Sequence, residues 1–211
     1  MIEEDRQHIE DSILDVNNVF LRAPNVLLTE EDLRMHLCHR LITRFGTEET
    51  TNDGDTSISL HTEVRWYGKG NLKTRSDVVL VDVSNLDVKR HAALPSKGYG
   101  FNMPKAIIEL KFRRPNGEPT PTFLKKIEQD LEKLQELVGV FHAAQGLNTV
   151  GFWMLVFDKK ADIRNRVNEL TIPSGVRMIY TFADSSEQRN CVSAYMQPGT
   201  QASFFQEEVV Y

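Results

Sequence analysis

Residues 76–83 carry Val78, Val79, Leu80, Val81 and Val83 almost without interruption, which reads as a strand covered on both faces. A second strand is expected from Ala106 to Phe112, and charges interrupt it. Glu109 and Lys111 are two apart, so both project from one sheet face about 7 Å from each other, while Ile108, Leu110 and Phe112 line the opposite face. Asp77 begins the neighbouring apolar strand. Burying an acid or a lysine costs several kcal/mol unless it pairs or binds something, so these charges require a reason. Two reasons compete: a salt-bridge network among Asp77, Glu109 and Lys111, or a site for a ligand.

The rest of the chain supplies the cover. Ile9, Ile13, Leu14, Val16 and Phe20 have loose helical spacing that ends before Pro24. Thr29 is placed as an N-cap, with Glu30, Glu31 and Asp32 in the first turn, where carboxylates suit the helix dipole. Leu33, Leu37, Cys38, Leu41, Ile42 and Phe45 then recur at helical spacing up to Gly46. After a polar loop over 47–57, a strand is expected over Ile58–Tyr67, with a turn at Gly68–Asn71. Residues 84–104, with Pro95, Gly98, Gly100 and Pro104, read as a long excursion. Thr122–Gln145 forms a helix with one stripe of Leu124, Ile127, Leu131, Leu134, Val138 and Phe141. A strand over Thr149–Phe157, a helix over Ala161–Leu170 and a strand over Val176–Phe182 follow; residues from Thr181 on have no clear period. This order predicts an α/β fold, a central mixed β-sheet flanked by α-helices, in a single domain over 1–211 with its core at about 29–182.

With 40% hydrophobic and 26% charged residues in 211, the chain can bury a core and is not of disordered composition. No run approaches the roughly 18 apolar residues of a membrane span, and the acidic start Met1–Glu10 lacks the regions of a signal peptide. A cytoplasmic protein is expected, with Cys38 and Cys191 as reduced thiols. The net charge of -5 hides an asymmetry, since residues 61–114 hold eleven Lys+Arg against five Asp+Glu. A local basic excess suits an anionic ligand such as a nucleic-acid backbone, although a solvated charged surface produces the same tract. No Gly-rich phosphate loop or GxSxG element supports an NTPase or serine hydrolase, and His36 and His39 lack a further ligand in sequence.

Arg75-Ser76-Asp77-Val78-Val79-Leu80 followed by Ile107-Ile108-Glu109-Leu110-Lys111-Phe112 resembles the PD-(D/E)XK nuclease superfamily, whose motif sets an Asp on one strand and Glu-x-Lys on the next. Glu30-Glu31-Asp32, opening the helix through Leu37, is similar to that family's leading acidic helix, and Ile127–Leu134 resembles the helix that follows Glu-x-Lys. The resemblance spans roughly residues 29–160 in the expected order. It departs from the pattern at Ser76, where the family has proline, and in the 32 residues between Asp77 and Glu109.

The resemblance implies a restriction-endonuclease-like core and a metal-dependent nuclease acting on nucleic acid, DNA first, and leaving a 5'-phosphate. Asp77, Glu109 and the backbone carbonyl near Leu110 would hold Mg2+ or Mn2+, and Lys111 would act on the attacking water or the transition state. Glu30 would complete the site; it lies near the centre of the stripe through Leu33, Leu37 and Leu41, whereas Glu31 lies toward the edge. Lys73, Arg75, Arg113 and Arg114 would contact phosphates, and Glu63 would lie near the site. Asp130 reads first as a partly exposed helix acid, with a hydrogen bond to Lys111 or to a neighbouring backbone group as the alternative. A homodimer or larger complex is compatible with this reading. The alternative is a non-catalytic binding or scaffold module of the same fold, held by an Asp77/Glu109/Lys111 ion-pair network.

Overall fold

The computed structural model describes residues 3–66, 74–91, 103–145, 149–160, 162–183, 191–196 and 203–205. The predicted α/β class is observed. Helix α1 (Glu3–Arg22) is followed by a short 3-10 turn at Pro24–Val26 and by α2 (Glu30–Phe45). Two two-residue strands, β1 (Glu49–Thr50) and β2 (Thr56–Ser57), pair within the segment expected to be a plain loop. Next come β3 (Leu60–Arg65), β4 (Arg75–Val81), the one-turn helix α3 (Val88–His91), β5 (Pro104–Arg113), α4 (Thr120–Gln145) and β6 (Gly151–Asp158). The one-turn α5 (Arg164–Val167), β7 (Val176–Ala183), β8 (Cys191–Met196) and β9 (Ser203–Phe205) complete the order.

Strands β3 to β7 form the central mixed sheet in sequence order, and β8 and β9 extend it to seven. The β3/β4 and β4/β5 pairs are antiparallel, whereas β5/β6 and β6/β7 are parallel. Strand alternation sorts the core into two layers. Val78, Leu80, Ile108 and Leu110 pack with Ile9, Ile13, Leu33 and Leu37 of α1 and α2. Val79, Val81, Ile107, Met154 and Val156 pack with Phe123, Ile127, Leu131 and Leu134 of α4 on the other face. The continuous apolar run of β4 is thus buried on both sides. Among the described residues no helix is long and apolar enough to cross a membrane.

Two sequence expectations change. Leu14 and Ile42, counted in the apolar stripes of α1 and α2, are about half exposed, because the neighbouring Ile13 and Leu41 take the inward positions. The helix expected over 161–170 is reduced to the single turn α5, since the inward anchors Ile163 and Val167 are one turn apart and the chain then leads through Pro173 into β7. Polar side chains also tie this stretch down at its start: Asp162 bonds Thr120 and Arg113, an arrangement the apolar period does not reveal.

Candidate functional site

Strands β4 and β5 pair from Leu80↔Ala106 to Val78↔Ile108 and then part, while β5 continues alongside β6 to Arg113. The N–H groups of Leu110 and Phe112 alternate onto the edge of β5 that β4 leaves, and a buried N–H without a partner is costly. Two carboxylates take them. Leu110 N–H donates to Asp77 Oδ2 at 2.8 Å, and Phe112 N–H donates to Glu30 Oε2 at 3.2 Å.

Glu30 reaches β5 because it opens α2, whose start is fixed by a capping box: Asp32 N–H donates to Thr29 Oγ1, and Thr29 N–H donates to Asp32 Oδ2. Burial raises the Glu30 pKa, and Asp77 adds to the effect, against Lys111, the Phe112 N–H and Arg34. Glu31, the other helix acid weighed from the sequence, is largely exposed and pairs with Arg34 at 2.8 Å.

Glu109 and Lys111 project from β5 toward α4. Glu109 is fully buried; its Oε2 accepts from Lys133 Nζ at 2.6 Å, while its Oε1 is buried without a hydrogen-bond partner. Burial pushes the Glu109 pKa up to about 8, opposed by Lys133 and reinforced by Asp77 and Asp130. Lys111 Nζ lies 2.6 Å from Asp130 Oδ2 and donates to the Leu110 carbonyl at 3.1 Å. Asp130 also faces Lys133 at 3.3 Å, so one α4 carboxylate bridges the two lysines. Burial disfavours both ammonium charges, but the surrounding acids more than offset it, Asp130 and Glu30 for Lys111 and Glu109 and Asp130 for Lys133, and both pKa values stand above the ordinary lysine value.

On the α2 side, Arg34 closes the cluster. Its Nη1 lies 2.6 Å from Glu63 Oε1, and its Nη2 is 3.3 Å from Asp77 Oδ1. Glu63 has a left-handed backbone, φ +57°, which is strained for a residue with a side chain. Its position explains a change of face in β3: Leu60 packs in the α1/α2 layer, but Val64 packs in the α4 layer, although strict alternation puts both on one side. Glu63 also meets Arg75 at 2.6 Å.

The proposed phosphate contacts divide. Arg75 and Arg114 are exposed, and Lys73 lies outside the described residues. Arg113 is turned into the core, which corrects its assignment as a phosphate contact. Its side chain is fully buried; Nε and Nη2 hold both oxygens of Asp158 at 2.8 and 2.7 Å, and it further pairs with Asp162. Asp158 also accepts from Tyr180 Oη at 3.0 Å. A guanidinium held this way ties the ends of β5 and β6 together, with Asp158 linked on to Tyr180 of β7, and is turned away from any phosphate at the surface.

The network of the scaffold reading is likewise different from the expected one. Asp77, Glu109 and Lys111 converge, but each takes its cation or anion from elsewhere: Arg34, Lys133 and Asp130. The sequence pattern does not single out Arg34 or Lys133, although Arg34 lies one turn beyond Glu30 and Lys133 one turn beyond Asp130.

Among the described residues, no group of three His, Cys, Asp or Glu side chains is placed to cage a metal ion. What β4 and β5 offer is two carboxylates, Asp77 and Glu109, beside the Leu110 carbonyl. That donor set suits a hard cation that keeps several waters, and the unpartnered Glu109 Oε1 is a buried acceptor such an ion would satisfy. No family model matches the chain, and neither does any curated protein or solved structure.

Proposed function

We propose that the chain is a metal-dependent nuclease of the PD-(D/E)XK type, with a restriction-endonuclease-like core, that hydrolyses phosphodiester bonds, of DNA in the first place. The observation that carries this reading is the convergence of Glu30, Asp77, Glu109 and Lys111, from one helix and two strands, at the point where β4 and β5 part. Asp77 and Glu109, with the Leu110 carbonyl, are the groups that would hold Mg2+ or Mn2+. When bound, such an ion supplies charge neutralisation at the phosphate and a more acidic water. Lys111, held between Asp130 and the Leu110 carbonyl, presents an ammonium to charge growing on phosphate oxygens. Glu30, tied to the Phe112 N–H, stands where a carboxylate can orient water. Arg75 and Arg114, both exposed, would steer a nucleic-acid backbone. A cytoplasmic setting belongs to this reading.

The test is incubation of linear, circular, branched and single-stranded DNA, and of RNA, with Mg2+, Mn2+ or a chelator. Cleavage with either ion, none with the chelator and none by Glu109→Gln is the expected result; no cleavage of any substrate overturns the reading.

A second reading keeps support from one observation: the acids are already matched to internal cations, Glu109 to Lys133 and Asp77 to Arg34, as a non-catalytic binding or scaffold module would require. Calorimetric titration with Mn2+ separates the two, because a closed ion-pair network has no use for the ion.

A further inference from the structure

The site contains a cation of its own on a long tether. Lys133 comes from α4, and its ammonium sits on Glu109 Oε2 at 2.6 Å while also donating to the Arg75 carbonyl at 3.0 Å. It thereby covers one oxygen of the most deeply buried acid in the cluster and leaves the other, Oε1, without a partner. A carboxylate in that condition meets only part of its desolvation cost, since one ammonium satisfies one oxygen. Glu30, Glu31, Glu63, Asp77, Glu109 and Asp130 stand against Arg34, Arg75, Lys111 and Lys133, and within that set Asp77 is paired with Arg34 and Glu109 with Lys133. A divalent ion added to that set without any rearrangement would place a third cation beside Asp77 and Glu109, which Arg34 and Lys133 already hold.

Lys133 is the cation best able to leave. Arg34 is fixed by three carboxylates, Glu31, Glu63 and Asp77, and Lys111 grows from β5 itself. Lys133 has a flexible four-carbon stem and a second anion, Asp130, already within 3.3 Å and one helical turn away. Releasing Glu109 therefore does not strand its charge.

We propose that Lys133 is the resident counter-ion of the metal position: it holds Glu109 in the ion-free protein and hands it to the divalent ion by retreating to Asp130. This rests on the reading of the cluster as a metal site. Metal affinity is then set by an exchange of cations on Glu109, and Lys133 acts as a positioning residue that binds neither the ion nor the substrate in order to do so.

The experiment is Mn2+ titration by calorimetry, at one ionic strength and on the alkaline plateau where each protein's affinity no longer changes with pH, of the wild-type protein and three variants whose folding is verified by circular dichroism. Lys133→Met keeps the stem and removes the competitor, so its Mn2+ affinity should rise about tenfold. Lys126→Met removes one lysine charge from the same helix at a half-exposed position, and should shift affinity by less than about twofold because solvent screens it. Lys133→Arg keeps a cation able to grip Glu109 in two places, and should bind Mn2+ no tighter than wild type. A rise in Lys133→Met no larger than in Lys126→Met, or a Lys133→Arg variant tighter than wild type, overturns the proposal. The arginine arm decides even where the methionine variant fails to fold. If the wild type binds Mn2+ and Lys133→Met binds it equally well, only the exchange is wrong; if no variant binds Mn2+, the metal-site reading falls with it.

Discussion

Asp77 Oδ2 accepts the Leu110 N–H at 2.8 Å, so a side chain completes β5 where the main chain of β4 has turned away. The same carboxylate faces Arg34 through its other oxygen. One group thus serves both the integrity of the sheet and the charge balance of the site.

Asp77→Asn retains an acceptor for Leu110 N–H, whereas Asp77→Ala leaves that N–H unpaired and strips Arg34 of a partner. The alanine variant should lose about 1–3 kcal/mol more than the asparagine variant, and both should lose metal-dependent cleavage. Urea denaturation beside a cleavage assay checks this. Equal stability of the two variants would show that water replaces the carboxylate at Leu110.

Glu109 gives the protein a pH signature. Its folded-state pKa is raised to about 8 by burial, above the ordinary carboxylate value of 4.5. The folded state therefore binds more protons than the unfolded state between those two values. The contribution of Glu109 is fully present below about pH 4.5 and is lost as pH rises through about 8, with a slope of at most about 1.4 kcal/mol per pH unit. Urea midpoints of the ion-free protein should fall from about pH 5.5 to about 8.5, and Glu109→Gln should flatten that fall. A divalent ion should remove it as well, by favouring the ionised carboxylate. A wild-type profile parallel to that of the glutamine variant would remove Glu109 as the source.

Two arginines of the basic segment should part company with a third. Arg113→Met strands Asp158 in the core and should cost about 3–5 kcal/mol, read from a urea or thermal midpoint. Arg75→Gln with Arg114→Gln changes exposed groups and should shift stability by less than about 1 kcal/mol in total. The pair should weaken nucleic-acid binding and flatten its salt dependence by about 0.9 in log–log slope for each phosphate that is no longer neutralised. Unchanged affinity and slope would make the basic tract a solvated surface.

The difference among these arginines marks where the sequence stops being legible. Period two in β5 separates Glu109 and Lys111 from Ile108 and Leu110, and the helical wheel of α2 places Glu30 ahead of Glu31; both follow from local geometry. What a charged side chain faces across the fold does not. Arg113 reads as a solvent-facing base next to Arg114, yet its partner Asp158 lies on another strand. Lys133 reads as one more polar residue of α4, because only the sheet packing brings its ammonium to Glu109. The left-handed turn at Glu63 is hidden for a related reason: glutamate is a poor residue for that conformation, and only the ion pairs with Arg34 and Arg75 give it a role there.

Lys111 tests the division of labour inside the site. It is bonded to Asp130 and to the Leu110 carbonyl, and it is neither an anion nor a neutral donor that could ligate a cation. Lys111→Met, which keeps most of the stem, should nearly eliminate turnover while leaving Mn2+ affinity near wild type or above it, since a positive charge beside the carboxylates is removed. Asp130 still has Lys133 at 3.3 Å, so the loss leaves no uncompensated acid on α4 and the variant should fold. Asp130→Asn loosens the same ammonium without deleting it, and should give a partial fall in turnover. Single-turnover cleavage and Mn2+ calorimetry on these two variants distinguish the roles. Retained cleavage by Lys111→Met would remove the lysine from the reaction, and lost Mn2+ binding would mean that it shapes the carboxylate pair.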